Sequence, residues 1–492
     1  MTTREIPVLI VGAGPAGLTS SLLLSRLGVD SLLVERRATA SPLPRARGVH
    51  ARAMEILRSC GVEPALRAVE LPITPGAEWR ARLTGPPLRE DVPGSSQAAA
   101  TSPCEGLSVA QDVFESVLAA HLTAPIRRGV ALESFTTTPD GVRVTLHDTA
   151  SGRRETVHAR WLIAADGARS GIRERLGIAT GGQSDLGRQR LVSFRADLTP
   201  WTGPRPRGIY FLTEAGAALV WTHPDHRWMV SLPETGETPD LAALLGVPVE
   251  VLASNPWTAE ALTAERYADG PVFLVGDAAH RFPPAGATGL SAAIHDAHNL
   301  AWKLAAVFHG HAGPALLDSY RAEREPVGLR NADETGAAWS RVFSGTGAPF
   351  AGRSLAQIDM GYQYRSAVVT PDGAADADPP GAGYKPTAAP GCRAPHLPLA
   401  DGRSTLDLFG TEHTLLTAPE GTGWRSAAQP AASRLGVPLS SHVITDPAWP
   451  TAYGTTPAGA VLVRPDGHVA WRHAGPATAD GLLAALTTAT AR

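Results

Sequence analysis

The chain has 492 residues, 43% of them hydrophobic, and a formal net charge of −3 at pH 7. This length favours two or three domains, and the near-neutral charge gives no indication of a nucleic-acid partner. No uninterrupted apolar run reaches the roughly 18 residues of a membrane span. The first apolar stretch is broken by glycines and has no cleavage-site pattern, and the three cysteines show neither a CxxC nor a metal-binding spacing. We therefore expect a cytoplasmic protein without a metal site or a membrane partner.

A strand, a glycine-rich turn and a helix open the chain. Val8–Gly12 is a continuous apolar run, as in a buried parallel strand, and the turn at 12–17 reads Gly-Ala-Gly-Pro-Ala-Gly. Such glycines let backbone approach a pyrophosphate, the helix N-terminus supplies N–H donors, and an acid after the next strand can bind a ribose diol. The pattern predicts dinucleotide binding without distinguishing NAD from FAD. The residues it assigns to the cofactor are Gly12, Gly14, Ala16, Gly17 and Glu35.

The middle of the chain alternates irregular and strand-like segments. Residues 71–105 are rich in Pro, Gly and Ser, and a helix and strands follow. Asp166 and a glycine end one predicted strand, which by itself indicates an ordinary turn before a solvated basic helix. Strand-like pieces between about 190 and 270 carry many aromatic residues, which either line a flat pocket or fill the core of a sheet. These residues are Trp201, Tyr210, Phe211, Trp221 and Trp228.

A second acidic turn begins at Gly276 and precedes a long helix. Asp277 directly follows an apolar strand, where ligands gather in open α/β sheets and a carboxylate can hold a chain of sugar-like hydroxyls. The following loop of proline, glycine and alanine residues allows a flat ring to contact backbone at the positive end of the helix. The alternative is an ordinary connection in which Asp277 serves as a cap.

The last quarter of the chain has a different composition. Residues 373–391 read as a linker because they are rich in proline, glycine and alanine. The segment 392–492 reads as a small α/β domain with a hairpin that turns at Pro465-Asp466-Gly467.

Together, in this order and spacing, these motifs resemble the single-component FAD-dependent aromatic hydroxylases, the group of p-hydroxybenzoate and phenol hydroxylases. The resemblance covers about residues 5–345, and the whole layout is similar to the aromatic polyketide hydroxylases of the anthracycline and angucycline type. It implies an α/β fold with a Rossmann-like FAD-binding domain, an inserted mixed β-sheet substrate domain and a C-terminal thioredoxin-like domain without CxxC. The predicted ranges are 1–70, 105–178 and 271–372 for FAD, 71–104 and 179–270 for substrate, 373–391 for the linker and 392–492 for the C-terminal domain.

The resemblance also implies further cofactor residues. The segment Pro42–Gly61 is similar to one whose arginine contacts the flavin, which matches Arg45 here. Ser291 stands where many relatives have asparagine, so a side-chain amide is lost and backbone N–H groups would do the holding. The cofactor residues implied in this way are Arg36, Arg45, Gln111, Asp166, Asp277, Pro284, Gly286, Gly289, Leu290 and Ser291.

By the same resemblance, NAD(P)H would reduce FAD, and O₂ would form a flavin C4a-hydroperoxide that hydroxylates an aromatic, polyketide-derived polyphenol. Arg45, Tyr210 and His223 are unranked candidates for the group that handles the phenol proton. Three alternatives stay open: epoxidation, Baeyer–Villiger insertion on the same scaffold, and a flavin-binding protein without turnover. The partners expected are a small aromatic substrate and O₂, and a homodimer is left open.

Overall fold

A computed structural model describes residues 4–41, 45–91, 98–237, 239–344, 350–478 and 480–492. Its strands are β1 Arg4–Val11, β2 Ser31–Glu35, β3 Arg47–Val49, β4 Thr74–Arg80, β5 Pro87–Asp91, β6 Leu107–Ala110, β7 Arg127–Arg128, β8 Val130–Thr138, β9 Gly141–Asp148, β10 Arg154–Ala164, β11 Thr180–Gln183, β12 Arg188–Arg195, β13 Arg207–Leu212, β14 Ala217–His223, β15 Arg227–Pro233, β16 Glu250–Thr258, β17 Ala261–Ala264, β18 Ala268–Asp269, β19 Val272–Leu274, β20 His280–Arg281, β21 His413–Thr417, β22 Leu439–Val443, β23 Ala460–Val463 and β24 Val469–His473. Its helices are α1 Pro15–Arg26, α2 Ala51–Ser59, α3 Glu63–Arg67, α4 Ala98–Thr101, α5 Gln111–Ala120, α6 Gly171–Arg175, α7 Thr199–Thr202, α8 Leu241–Leu245, α9 Thr288–Phe308, α10 Asp318–Ser344, α11 Leu355–Met360, α12 Thr422–Leu435, α13 Trp449–Tyr453 and α14 Gly481–Ala489.

The first sheet carries the glycine-rich turn. Its strands run in the order β18-β19-β10-β1-β2-β7, and β9 and β8 extend it from β10. The neighbours β19, β10, β1 and β2 are parallel. Val8, Leu9 and Ile10 on β1 are fully buried in a core to which α1, packed on β1 and β2, and α9, packed on α1, also contribute. This is the Rossmann-like arrangement that the alternating strand and helix pattern predicts.

The second sheet has seven strands in the order β16-β12-β15-β14-β13-β4-β5. It joins chain from both predicted substrate segments, since β13 pairs in parallel with β4. Its side chains alternate between a fully buried face and a half-buried face. Leu198 near α7, and Leu241 and Leu245 on α8, pack against the buried face and close its core.

The third sheet forms the centre of the C-terminal region, in the order β22-β21-β23-β24. Strand β21 is parallel to β22 and antiparallel to β23, and β23 and β24 form the predicted hairpin. Helices α12 and α14 pack on this sheet. The topology is the expected thioredoxin-like one. Cys392, beside the predicted linker, is a free buried thiol whose pKa is raised to about 12 by burial.

Within the described part of the chain, no helix is long and apolar enough to cross a membrane. The same residues contain no group of three or more His, Cys, Asp or Glu side chains placed to hold a metal ion. On α9, His295 is buried and His298 is half-buried, and burial lowers the pKa of each imidazole.

Candidate active site

The three predicted motifs meet at one edge of the first sheet, although they lie far apart in the sequence. They follow β1, β10 and β19, which are adjacent parallel strands and therefore end at the same edge. The contact is close: a methyl group placed on Gly12 would lie 2.2 Å from the carbonyl oxygen of Ala165. One placed on Gly276 would lie 3.1 Å from Cβ of Ala16. Only glycine fits at both positions, and both also have positive φ.

The glycine-rich turn leaves open space at its centre. A methyl group on Gly17 would lie 1.9 Å from the Gly12 carbonyl oxygen, whereas one on Gly14 would meet no protein atom within 4 Å. Gly14 is the N-cap of α1 and supplies no side-chain cap. The first N–H groups of α1 therefore point from an uncapped helix end, as a phosphate-binding turn requires.

This difference yields a matched prediction for two substitutions. We expect Gly17→Ala to disrupt the turn and the packing of α1, because its methyl group collides with backbone. We expect Gly14→Ala to leave the fold intact but weaken FAD binding by at least about tenfold, because the methyl group takes the space of the cofactor. Far-UV circular dichroism and FAD titration would separate the two effects, and normal FAD affinity in Gly14→Ala would contradict the assignment.

Glu35 lies beside this turn at the end of β2. Its Oε2 accepts a hydrogen bond from the Ala13 N–H at 3.0 Å, and its Oε1 accepts one from the Arg37 N–H at 2.9 Å. The carboxylate thus holds the turn in addition to lying where a ribose would bind. Arg36 is exposed next to it.

Asp277 lies in a short 3-10 turn, Gly276–Ala278, after β19. Its side chain is exposed, but many protein atoms surround it. The resulting desolvation raises the pKa of the carboxyl group, and the positive charges of His280 and Arg45 oppose this rise. Asp296 on α9 holds this turn in place through hydrogen bonds. Its carboxylate accepts hydrogen bonds from the Gly276 N–H at 3.0 Å and from Arg324 Nε at 2.7 Å, and it lies 2.7 Å from His280 Nε2.

The loop before α9 has a backbone that few side chains permit. Pro284 precedes a 3-10 turn at Ala285–Ala287, and Gly286 and Ala287 both have positive φ. A methyl group on Gly286 would lie 2.5 Å from both Phe350 and Leu355, while one on Gly289 would meet nothing within 4 Å. The helix N-terminus again has no side-chain cap. It is therefore free to face a ligand.

Leu290 and Ser291 lie on the buried side of this helix end. The Ser291 hydroxyl accepts a hydrogen bond from the His50 N–H at 3.0 Å, and the side chain is 2% exposed. The serine thus ties α9 to the start of α2, so its side chain faces protein and leaves only its backbone for a cofactor.

Arg45, Gln111 and Asp166 surround this edge of the sheet. Arg45 is exposed. Burial raises the pKa of the Asp277 and Glu115 carboxyl groups, and the positive charge of Arg45 opposes this rise. Gln111 donates to Glu115 Oε1 at 2.7 Å. Asp166 accepts hydrogen bonds from Ser170 Oγ at 2.6 Å and from the Ile172 N–H, so its carboxylate caps α6. Residues 42–44 of the predicted arginine segment lie outside the described residues.

The aromatic residues of the second sheet divide between its two faces. Tyr210, Trp221 and Trp228 lie on the buried face and fill the core that α8 closes. Phe211 lies on the other face and stacks on Trp79, with ring centroids 5.0 Å apart. We call this half-buried side the open face, formed by Trp79, Ile209, Phe211, Val220 and Met229. Trp201 packs against the edge of the core.

Two of the three candidates for the proton-handling group lie away from the open face. Tyr210 is 1% exposed, its hydroxyl accepts a hydrogen bond from the Arg207 N–H, and burial raises its pKa. His223 is 4% exposed, with its Nε2 3.0 Å from Asp112 and its Nδ1 3.1 Å from Thr222. Neither side chain reaches the open face, because one is in the core and the other joins the sheet to α5. Of the three side chains, only that of Arg45 is exposed.

Comparison with protein families gives two matches that together span most of the chain. Residues 5–238 and 237–335 match the family described as FAD binding domain. Residues 387–492 match the family described as aromatic-ring hydroxylase, C-terminal.

Individual relatives agree with these families. The chain is 38% identical to a tetracenomycin A2 monooxygenase-dioxygenase of Streptomyces glaucescens, over 96% of this chain and 94% of the relative. A crystal structure of the flavin-dependent monooxygenase PieE in complex with FAD and substrate superposes with a TM-score of 0.91, at 31% identity and full coverage of both chains. A ternary complex of aklavinone-11 hydroxylase with FAD and aklavinone gives a TM-score of 0.88, at 33% identity and full coverage of both chains. FAD is the cofactor of this group, whose members are NAD(P)H- and O₂-dependent monooxygenases. The chain belongs to this family, the FAD-dependent aromatic-ring hydroxylases.

Proposed function

We propose that this monooxygenase hydroxylates a flat aromatic substrate of several fused rings, of polyketide origin, in a cleft between the motif edge of the first sheet and the open face of the second. The observation that carries the proposal is the stacked pair Trp79 and Phe211 on an open sheet face whose opposite side is a closed core. Stacked aromatic side chains offer a flat apolar surface to a planar ring system. The names of the relatives support the substrate class.

We assign the cofactor contacts to the residues that the three motifs bring together. The uncapped N-terminus of α1 with Gly12, Gly14, Ala16 and Gly17 would face the pyrophosphate, and Glu35 a ribose. Asp277 would hold the ribityl hydroxyls, and the N-terminus of α9, after Pro284, Gly286 and Gly289, would face the pyrimidine end of the ring. When bound, FAD supplies the transfer of electrons from NAD(P)H to O₂.

The protein's own residues position the reactants and exclude water. Asp296 fixes the turn that carries Asp277, and Ser291 fixes the helix whose N-terminus faces the ring. In this proposal Arg45, Gln111 and Arg36 complete the surroundings of the cofactor. Asp166 contributes indirectly, because it fixes the start of α6 beside the cofactor. The domain boundaries, the cytoplasmic location and the homodimer stay predictions.

The test is a product assay with the purified chain. We expect a yellow protein that oxidises NAD(P)H faster with a hydroxylated anthraquinone or naphthacenequinone than without one, and product that is 16 mass units heavier. Incubation under ¹⁸O₂ identifies the source of the oxygen, and fragmentation of the product distinguishes ring hydroxylation from epoxidation or Baeyer–Villiger insertion. Conversion of only single-ring phenols would contradict the proposed substrate class.

A further inference from the structure

Arg47 lies where the two sides of the proposed cleft meet. It belongs to β3, which pairs with β6 beside the first sheet. Its neighbour Gly48 approaches the loop before α9, since a methyl group there would lie 3.3 Å from Cβ of Ala287. The Arg47 guanidinium points the other way and donates through Nη2 to the Gly208 carbonyl oxygen at the start of β13. Arg47 therefore connects the loop before α9 with the second sheet.

The charge of Arg47 has no partner in the described part of the chain. Its Nε and Nη1 are covered from solvent and donate no hydrogen bond. Burial alone lowers the pKa of the guanidinium to about 10, and no carboxylate acts against it. Arg47 as a whole is half-buried, and the fully buried arginines differ from it: Arg324 pairs with Asp296, and Arg464 with Glu323. Covered donors without an acceptor, on a cation without a counter-charge, are costly, and a ligand that completes them accounts for this arrangement.

A purely structural role accounts for only part of this arrangement. The bond to the Gly208 carbonyl oxygen uses one donor, and a neutral side chain of the same length could make it. This bond accounts neither for the positive charge nor for the two remaining donors, Nε and Nη1. An anionic oxygen attracts the guanidinium more strongly than a neutral carbonyl oxygen does, because both partners are then charged, so a ligand oxygen can draw it away from Gly208.

We propose that Arg47 determines substrate specificity by binding the ionised oxygen of a phenol on the aromatic substrate. This inference rests on the proposed function. The ring system would lie along the open face, where Ile209 follows Gly208 directly and Phe211 stacks on Trp79. The planar fork of donors would hold one phenolate oxygen at the end of that face. The bound phenol is then ionised at a lower pH than the free phenol, because the guanidinium stabilises only the charged form.

The test compares 2-hydroxyanthraquinone with 2-methoxyanthraquinone as ligands of the FAD-loaded enzyme. The wild type should bind the hydroxy compound at least about tenfold more tightly and shift its phenolate absorption band to lower pH. Arg47→Gln should bind both compounds alike and lose the shift. Arg47→Lys should keep part of both effects, since lysine retains a point charge but not the fork. Arg205→Gln, an exposed arginine just before β13, is the matched control and should behave as wild type.

FAD content and circular dichroism show whether each variant folds. If Arg47→Gln does not fold, Arg47→Lys still decides the test. Equal affinity of the wild type for the two ligands, or an unchanged preference and band shift in a folded Arg47 variant, would overturn the inference while leaving the substrate class intact. If the wild type binds neither anthraquinone and converts no multi-ring aromatic, the proposed function is wrong and the inference falls with it.

Discussion

Replacing Glu323 with glutamine is expected to lower the free energy of unfolding by about 3–5 kcal/mol, because it removes the negative charge from a buried ionic cluster. Glu323 is fully buried and accepts hydrogen bonds from both terminal nitrogens of Arg464, at 2.6 and 2.9 Å, and from Lys303 at 2.7 Å. Burial by itself raises the pKa of this carboxyl group, but the two cations outweigh it and lower the pKa to about 2. Glutamine would leave the two buried cations to share one carboxylate, that of Asp466, which pairs with Arg464. One buried positive charge would then lack compensation.

The cluster joins separate parts of the chain, so the measurement should follow the whole molecule. Arg464 belongs to the hairpin of the C-terminal sheet, whereas Lys303 and Glu323 lie on α9 and α10. Urea unfolding followed by circular dichroism and by FAD fluorescence should show both transitions moving to lower denaturant concentration. Glu420→Gln, at an exposed position, is the matched control. An unchanged midpoint in Glu323→Gln would mean that the cluster does not hold the hairpin against α9 and α10.

Replacing Asp277 with alanine is expected to raise the dissociation constant of FAD about 10- to 150-fold. The loss is one hydrogen bond to a charged group, about 1.5–3 kcal/mol. The fold should persist, because Asp277 is exposed and the turn is held by the hydrogen bond from the Gly276 N–H to Asp296. FAD titration of the apoprotein, with circular dichroism of the same sample, measures both quantities.

Asp30→Ala is the matched control for this prediction. Asp30 is exposed just before β2, at the opposite edge of the same sheet from the three motifs. Its substitution should leave FAD affinity unchanged. If Asp277→Ala also binds FAD like the wild type, Asp277 does not contact the ribityl chain, and the carboxyl group is only a cap of its turn.

Local patterns in the sequence were sufficient to predict the turns that the structure brings together at one edge of the first sheet. Gly12 and Gly17 are required by close backbone approaches, and Gly276 has a positive φ beside Cβ of Ala16. Asp277 lies just after the end of a buried strand. Such features recur at fixed short spacings, and the ends of parallel strands meet at one edge. The Rossmann-like arrangement and the thioredoxin-like sheet were predictable for the same reason, since each depends on the order of short periodic segments.

The substrate side was decided only by the tertiary structure. Alternation along β13 puts Tyr210 and Phe211 on opposite faces, but it cannot tell which face is covered, and the packing around α8 decides that. The partner of His223 is Asp112, and that of Ser291 is the His50 N–H, 241 residues away. Arg47 passed unnoticed because an arginine next to a glycine has no special meaning in a sequence. Whether a counter-charge lies beside Arg47 depends on every segment packed around it, and among the described residues none does. No spacing along the chain encodes this.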